Sequence, residues 1–435
     1  MPSLVQSDLD QLYMDRIHMF IPIIHHGRYT EWAKSEPGST GEAQNALRNA
    51  MWTLAASASA YHLTLRDSLY QRTRQALENL DQRTGSADEP TTTTTTAITA
   101  TADTEVVQAW LLLAVHELMC VSFRRAWITA GRAFRLIQLD PSWTAADGGV
   151  PTEMNIDSQN HHAQWIEIEQ RRRTFWFAYC LDRLMSLRNG SPPTFSERVS
   201  VRLPCPEVAF QYGQPVPMGF LSEFKTTSIA STSTSPAMVP SSPFHECIVA
   251  ATVAGHALSH RRQAVMDTAT GRDTTTAQTP HDMFAFWDRH AWLDSLAADS
   301  MGAFAVHHPP AAQEREPMLL FLAMVWRAIV LYLWHTADGY PTPAPNLDMS
   351  HVVSIESPAQ MADRAAQEVL RLMGKMSELN SWKVHPLMSI PLTLCAELLS
   401  TRADLMAAFS QKLREITQAA HSLGPLSGAG MRAYQ

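Results

Sequence analysis

The sequence predicts an all-α protein: a large, multi-helical, bundle-like domain carrying Ser/Thr/Pro-rich loop insertions. Three observations predict it. Apolar residues recur at the helical period along most of the 435-residue chain, and no strand-rich region or fixed-period repeat interrupts them. Helix stop signals punctuate the periodic segments, Asn189-Gly190 followed by Pro192-Pro193 being the sharpest. Hydrophobic residues make up 45% of the chain against 17% charged, so most of the sequence is destined for burial.

The first helix starts near Ser7 or Asp8, either a good N-cap, puts Leu9, Leu12, Tyr13 and Ile17 on one face and ends before Pro22. Residues 42–61 follow as an Ala-rich helix with Met51, Trp52 and Leu54. Residues 65–80 form a third, amphipathic helix, setting Arg66, Arg72 and Arg74 against Leu69, Leu77 and Leu80. Thr91 to Thr96 is a β-branched polar tract with nothing to bury, hence a loop. Helices over 103–120 and 123–139 are joined by so short a link that they form an antiparallel hairpin, with Ala130 and Gly131 at the crossing. Pro141 to Asn160 reads as a loop before the helix over 158–188, whose apolar residues run nearly all the way round. That distribution marks a packing centre, with Trp176, Tyr179 and Leu184 buried against the hairpin.

After the stop at Gly190, Val199, Val201 and Leu203 alternate with polar residues up to Pro204, an extended strap lying on the helix. Thr226 to Ser242 and Thr268 to Pro280 read as insertions around a helix over 243–266. The closing helices fall at 285–296, 316–337, 357–379 and 386–409, with a short one near 411–421. The apolar run 318–334 is interrupted by Arg327 and falls short of a span, so it reads as a buried core helix and no membrane is expected as a partner.

Composition narrows the function. A net charge of −8 gives no electrostatic footprint for wrapping nucleic acid. The five cysteines are scattered, without the close spacing of a zinc site or a disulfide framework, and the first ten residues do not form a signal peptide, so a reduced, intracellular protein is expected. No Gly-x-Ser-x-Gly elbow, no phosphate-binding loop and no carboxylate cluster appears, so no catalytic residue, cofactor or enzyme activity is expected. His256 and His260 stand four apart, but no carboxylate accompanies them in the His-Glu-x-x-His manner, and His116-Glu117 begins that motif but has Cys120 where its second His would stand, so no metal site is expected. Met318, Phe321, Met324, Trp326 and Trp334 read first as core; lining a pocket for a small apolar effector is the alternative.

The charged residues of the central helix are read structurally. Arg171, Arg172 and Arg173 lie at three- and four-residue spacing from Glu167 and Glu169, which predicts exposed ion pairs rather than a nuclear-import patch or phosphate clamp. On that reading Arg172→Ala costs under about 1 kcal/mol. Asp182 and Arg183, in an otherwise apolar stretch, must be partnered, and anchoring to the hairpin is the expected role.

The order Glu169, Arg171-Arg172-Arg173, Trp176, Leu181-Asp182-Arg183-Leu184, Gly190-Ser191-Pro192-Pro193 and Leu203-Pro204 resembles the middle homology region of fungal-specific transcription factors. Leu12, Tyr13, Arg16, His18, Phe20, Pro22, Ile23 and His25 are similar to that domain's opening. The likeness is best over 8–210, with a helical continuation over 243–421 in which 382–399 matches a late helix, so residues 1–435 read as one regulatory domain. The resemblance implies a nuclear regulator of a fungal metabolic or secondary-metabolite gene set. It implies as partners the transcription machinery or other regulators, a second copy of the chain, or a small apolar effector. Family members bind DNA through a six-cysteine binuclear zinc cluster. Its ligands do not occur in this sequence, so zinc is not expected here and DNA contact is expected only indirectly. A ligand-sensing or interaction module without DNA contact is the alternative, and a helical enzyme a more distant one.

Overall fold

Helices dominate residues 1–34, 41–85, 103–144, 158–222, 242–273, 280–338, 340, 358–400, 406–412 and 414–415, which are the residues that the computed structural model describes. They are α1 (Ser3–Arg16), α2 (His26–Ala33), α3 (Glu42–Ser57), α4 (Leu63–Gly85), α5 (Thr104–Cys120), α6 (Phe123–Leu139), α7 (Ser158–Asn189), α8 (Glu207–Gln211), α9 (Pro243–Asp273), α10 (Pro280–His307), α11 (Pro310–Arg315), α12 (Pro317–Asp338), α13 (Pro358–Ser377) and α14 (Ser389–Leu398). Short 3-10 turns lie at Pro141–Trp143 and Ser381–Lys383. Among the described residues extended pairing is limited to one antiparallel bridge between Arg202 and Phe220, so the all-α expectation holds.

The helices group into two compact units, one from Met1–Leu181 and Arg198–Pro240, the other from Asp182–Glu197 and Ser241–Ala419. In the first unit α3 packs on α1, α4 and α5, and α5 on α6. Helix α5 is buried from Val107 through Leu118, mostly apolar but with Gln108, His116 and Glu117 inside, and is packed by α3, α4 and α6. Helix α6 is amphipathic and buries Ala126, Thr129, Ala130, Ala133, Phe134 and Ile137, while the Ser122 hydroxyl caps it by accepting from the Arg125 N–H. Ala130 is fully buried as the hairpin requires. Gly131 is not at the crossing: a methyl group added there meets nothing within 4 Å.

In the second unit α12 is the hub, packed by α9, α10, α11, α13 and α14. At 22 residues it is long and apolar enough to cross a membrane, contrary to the shorter run read from the sequence. However, 83% of its apolar window is buried inside the protein, the position of a core helix.

Several boundaries differ from the sequence reading. Helix α2 was not anticipated, because eight residues carry too little periodicity; the His25 imidazole starts it by accepting from the Arg28 N–H at 3.0 Å. Helix α8 was missed for the same reason. Helix α9 continues to Asp273, so the first part of the Thr268 to Pro280 segment is helical rather than an insertion. Helix α14 closes at Leu398, and Ser400 Oγ caps the Glu397 carbonyl there, so the helix expected over 386–409 is shorter. Thr91 to Thr96, residues 226–241 and most of 411–421 lie outside the described residues.

Candidate functional site

The signature residues of α7 assemble into a buried clasp in the first unit. Glu169 is fully buried and takes both neighbouring guanidiniums: Arg172 donates to Oε2, and Arg173 Nε donates to Oε1 at 3.2 Å. The i, i+3 and i, i+4 spacing read from the sequence is therefore realised, but the pairs are interior, Arg172 being 6% and Arg173 1% exposed. This overturns the exposed-pair expectation. The helix turns this face inward because the strap and the N-terminal turn cover it. The Cys205 N–H donates to Glu169 Oε1 at 2.8 Å, and Arg173 donates to the carbonyls of Cys205 at 2.6 Å and Pro22 at 2.9 Å. Arg173 also pairs with Glu207 at the start of α8, which His18 approaches at 2.8 Å, and its guanidinium lies 4.3 Å from the Phe210 ring centroid.

Burial pushes the Glu207 carboxyl upward, but the hydrogen bond from His18 and the charge of Arg173 outweigh it and hold the pKa at about 2. Burial, then the nearby Glu169 charge, raises the Cys205 thiol to about 12, so it remains protonated and unreactive. Trp176, 0% exposed, donates its indole N–H to the Arg202 carbonyl at 2.7 Å, so the strap does lie on the helix. The link from α7 to the hairpin runs through polar groups, Gln108 of α5 donating to Thr174 Oγ1 at 2.9 Å and to the Ile23 carbonyl at 2.7 Å. Arg171 is the outlying member of the triplet; it donates to Ser142 Oγ at 3.0 Å and its guanidinium lies over Trp143.

Asp182 and Arg183 belong to the second unit and hold the turn that follows their own helix. Asp182 accepts from the Thr194 and Phe195 N–H groups, the shortest at 2.8 Å, and Arg183 donates to the Ser196 carbonyl at 2.9 Å. Their anchor is thus this turn and not the hairpin, because Gly190 at φ 68° reverses the chain and brings Pro192-Pro193 and the residues beyond back onto the last turns of α7. Gly255 of α9 leaves room for the Arg183 side chain; a methyl group there would stand 3.1 Å from Arg183 Nε. Burial raises the Asp182 carboxyl, against the pull of the two backbone N–H groups and Arg183. Leu203 and Pro204 are buried in the first unit.

The other candidates are structural in their contacts. His116 meets Ser57 Oγ at 3.0 Å, and burial lowers it to about 3; Glu117 accepts from Tyr70 at 2.7 Å and Arg74 at 2.8 Å. His260 stacks on Phe286 at 4.6 Å, whereas His256 faces Trp292 and Glu197. Among the described residues no three His, Cys, Asp or Glu side chains converge as metal ligands. Met318, Phe321, Met324 and Trp326 are buried in the α12 core.

A cleft was not legible in the sequence. It lies between α1, α2, α3 and α4 in the first unit, with a volume of about 710 Å³. Asp10 is its fulcrum: Tyr29 donates to it, Trp52 Nε1 donates at 2.6 Å and Arg48 Nη2 at 2.9 Å. Lys34, Arg48 and Arg72 line it against the carboxylate of Asp10, a cationic bias in an acidic chain. The one sequence signal was Arg48 four residues before Trp52, a spacing that stacks guanidinium on indole at 4.6 Å. Nothing local announced Asp10.

The site thus consists of a buried clasp and a cleft on an all-helical scaffold. Residues 11–235, just over half of the chain, match the fungal specific transcription factor domain. The chain belongs to that family and is a transcription regulator. It is 36% identical to the pigment biosynthesis transcriptional activator pigB of Monascus ruber across 97% of its own length and 72% of that protein's. It is 36% identical to the citrinin biosynthesis transcriptional activator ctnR of Monascus purpureus, covering 96% of this chain and 65% of that one. Transcription factor tazR of Aspergillus terreus is 35% identical over 94% of this chain and 58% of its own length. No solved structure matches the chain.

Proposed function

We propose that the chain regulates a fungal secondary-metabolite gene set from the nucleus, and that residues 1–435 serve as its regulatory region. The observation that carries this reading is 36% identity, sustained over 97% of the chain, to an activator of pigment biosynthesis. With a net charge of −8, these residues act on DNA through partner proteins, among them the transcription machinery or a second copy of the chain, and carry no catalytic role. In this reading the signature residues are structural. Glu169, Arg172 and Arg173 hold α7 to the strap, and Asp182 and Arg183 hold the turn at Gly190, Pro192 and Pro193. Deleting the gene in its host and sequencing transcripts tests the reading: a contiguous set of biosynthetic genes falls, and a fluorescent fusion concentrates in the nucleus. An unchanged transcriptome together with a cytoplasmic fusion overturns it.

Small-molecule sensing is the second reading, favoured by the Asp10 cleft, whose volume suits a metabolite. Its polar, cation-biased lining suits an anionic effector better than the apolar one expected from the α12 side chains. Isothermal titration of the purified chain with the host's acidic metabolites checks this reading, and heats unchanged by Arg72→Gln count against it.

A further inference from the structure

Helix α6 presents an outer ridge that neither the clasp nor the cleft uses. Its amphipathic pattern buries one face, and Arg124, Ile128, Gly131, Arg135 and Leu139 follow one another along the opposite one at the three- and four-residue spacing of neighbours on a helix. Ile128 is 54% and Leu139 77% exposed, two large aliphatic side chains on the solvent side of a helix with a well-formed buried face. The helix carries four arginines and no acidic residue. Two of them are answered by this chain, Arg125 by Glu117 at 3.4 Å and Arg132 by Asp81 at 3.5 Å. The two on the ridge are not: among the described residues Arg124 meets no carboxylate, and Arg135 donates to the neutral Gln138 at 2.6 Å.

Gly131 is the second, independent observation. A glycine in the middle of a helix weakens it, and is retained where something must come close. Here a methyl group at Gly131 would meet nothing within 4 Å, so no contact within the described chain accounts for it. It lies midway between Ile128 and Arg135, where the absent side chain leaves a notch. Helix-to-helix distance is set by the side chains at the contact, and a notch lets a second helix approach closely.

We infer that this ridge docks an acidic amphipathic helix of a partner protein, its backbone crossing at Gly131, its aliphatic residues on Ile128 and Leu139, and its carboxylates on Arg124 and Arg135. The match is one of charge and shape together. These two arginines, without a carboxylate partner among the described residues, stand about 16 Å apart, roughly three turns, and a helix of Glu and Leu repeats both features at that interval. Nucleic acid fits worse, because phosphate binding needs several clustered cations and gains nothing from exposed aliphatics. The inference rests on the geometry of α6 and is independent of which genes the protein controls.

The full chain is titrated, by fluorescence anisotropy, with a labelled synthetic helix of about five turns built from Glu, Ala and Leu, the Leu residues forming one stripe. A counterpart with Lys for Glu serves as control. Saturable binding at about 50 mM salt, weakened at least about 5-fold by the Lys peptide and at least about 10-fold by the double reversal Arg124→Glu/Arg135→Glu, supports the docking surface. Gly131→Ala gives the sharper readout. It raises the melting temperature, as a better helix former, while lowering affinity about 3-fold or more. No binding of the Glu peptide, equal binding by the reversed variant, a Gly131→Ala chain that binds unchanged, or displacement of the peptide by a short DNA duplex each overturns the inference.

Discussion

The two units differ in emphasis in the polar side chains they bury, although Asp182 and Arg183 keep charge inside the second and His116 an imidazole inside the first. In the first, charge is kept and neutralised in place: Glu169, Arg172, Arg173 and Glu207 form a connected set, closed by backbone groups of Pro22 and Cys205. In the second, the interior polar rings are uncharged imidazoles. His260 stacks on Phe286 at 4.6 Å, Phe286 on Tyr340 at 3.6 Å, and His385 on Phe321 at 3.8 Å. Among the described residues neither ring nitrogen of His260 has a hydrogen-bond partner. A buried ion pair tolerates pH but not the loss of a partner, whereas a buried neutral imidazole tolerates its neighbours but not acid. The two units should therefore fail under different insults.

The sharpest way to break the comparison is to remove one charge from the clasp. Glu169→Ala removes the carboxylate that the buried Arg172 and Arg173 guanidiniums share, with Glu207 still beside Arg173, and should cost about 3 to 5 kcal/mol, a large part of a domain's typical 5 to 15. Urea melts should show the first unit unfolding early, and hydrogen exchange should find residues 243–273 still protected; a loss under about 1 kcal/mol would mean that the clasp is decorative. Arg172→Ala belongs with the damaging changes and not with the exposed-pair losses, because it strips a partner from a fully buried carboxylate. It should exceed about 2 kcal/mol, read from the same melts.

Trp176→Ala comes next, at about 3 to 5 kcal/mol for a large aromatic with no exposed surface. It also frees the Arg202 carbonyl, so loosening of the strap, seen as faster exchange at Leu203, should accompany the loss of stability.

Acid should sharpen the contrast in the second unit. Burial lowers His260 and His385 to about 3 and His290 to about 4, while the unfolded side chains titrate near 6.5. Below 6.5 the unfolded chain binds protons that the folded chain refuses, so each histidine's contribution to stability falls as pH drops from about 6.5 towards 3 or 4. At pH 5 that amounts to about 1 to 2 kcal/mol per histidine. His116 adds one such step to the first unit. Glu207 acts in another window: its carboxylate stabilises fully above about 4.5, and that contribution is lost as pH falls through the folded value of about 2. Melting temperature followed from pH 7 to 5 should therefore drop, and His260→Phe should flatten the drop; an identical slope in that variant would remove His260 from the account. The smallest effect belongs to the surface: Arg83→Ala, which breaks a pair with Glu42 whose side chains are 68% and 61% exposed, should shift stability by less than about 1 kcal/mol in the same melts.

The helices were legible because each announces itself locally. The hairpin ends at 120, 123 and 139 could be read from periodicity and a short link, and the stop at Gly190 from residues that accept left-handed backbone. Helices α2 and α8 stayed hidden since so few residues carry little periodic signal. Within the site, the i, i+3 and i, i+4 partnership of Glu169 with Arg172 and Arg173 was in the sequence, as was the need for Asp182 and Arg183 to find partners. What spacing along one helix cannot state is which face the rest of the chain covers.

By itself, then, the sequence determined the all-α class, the helical register of α7, and the charges that had to be matched, since propensity, capping and periodicity act over a few residues. Only the tertiary structure decided that Glu169 would be interior, that Arg173 would reach Pro22, Cys205 and Glu207, that Asp182 would hold residues 194–195, and that Asp10 would gather Tyr29, Arg48 and Trp52 beside a cleft. Those partners stand 12 to 151 residues apart along the chain. Contacts at such separations follow from which surfaces exclude water from one another, a property of the packed whole that no local window contains.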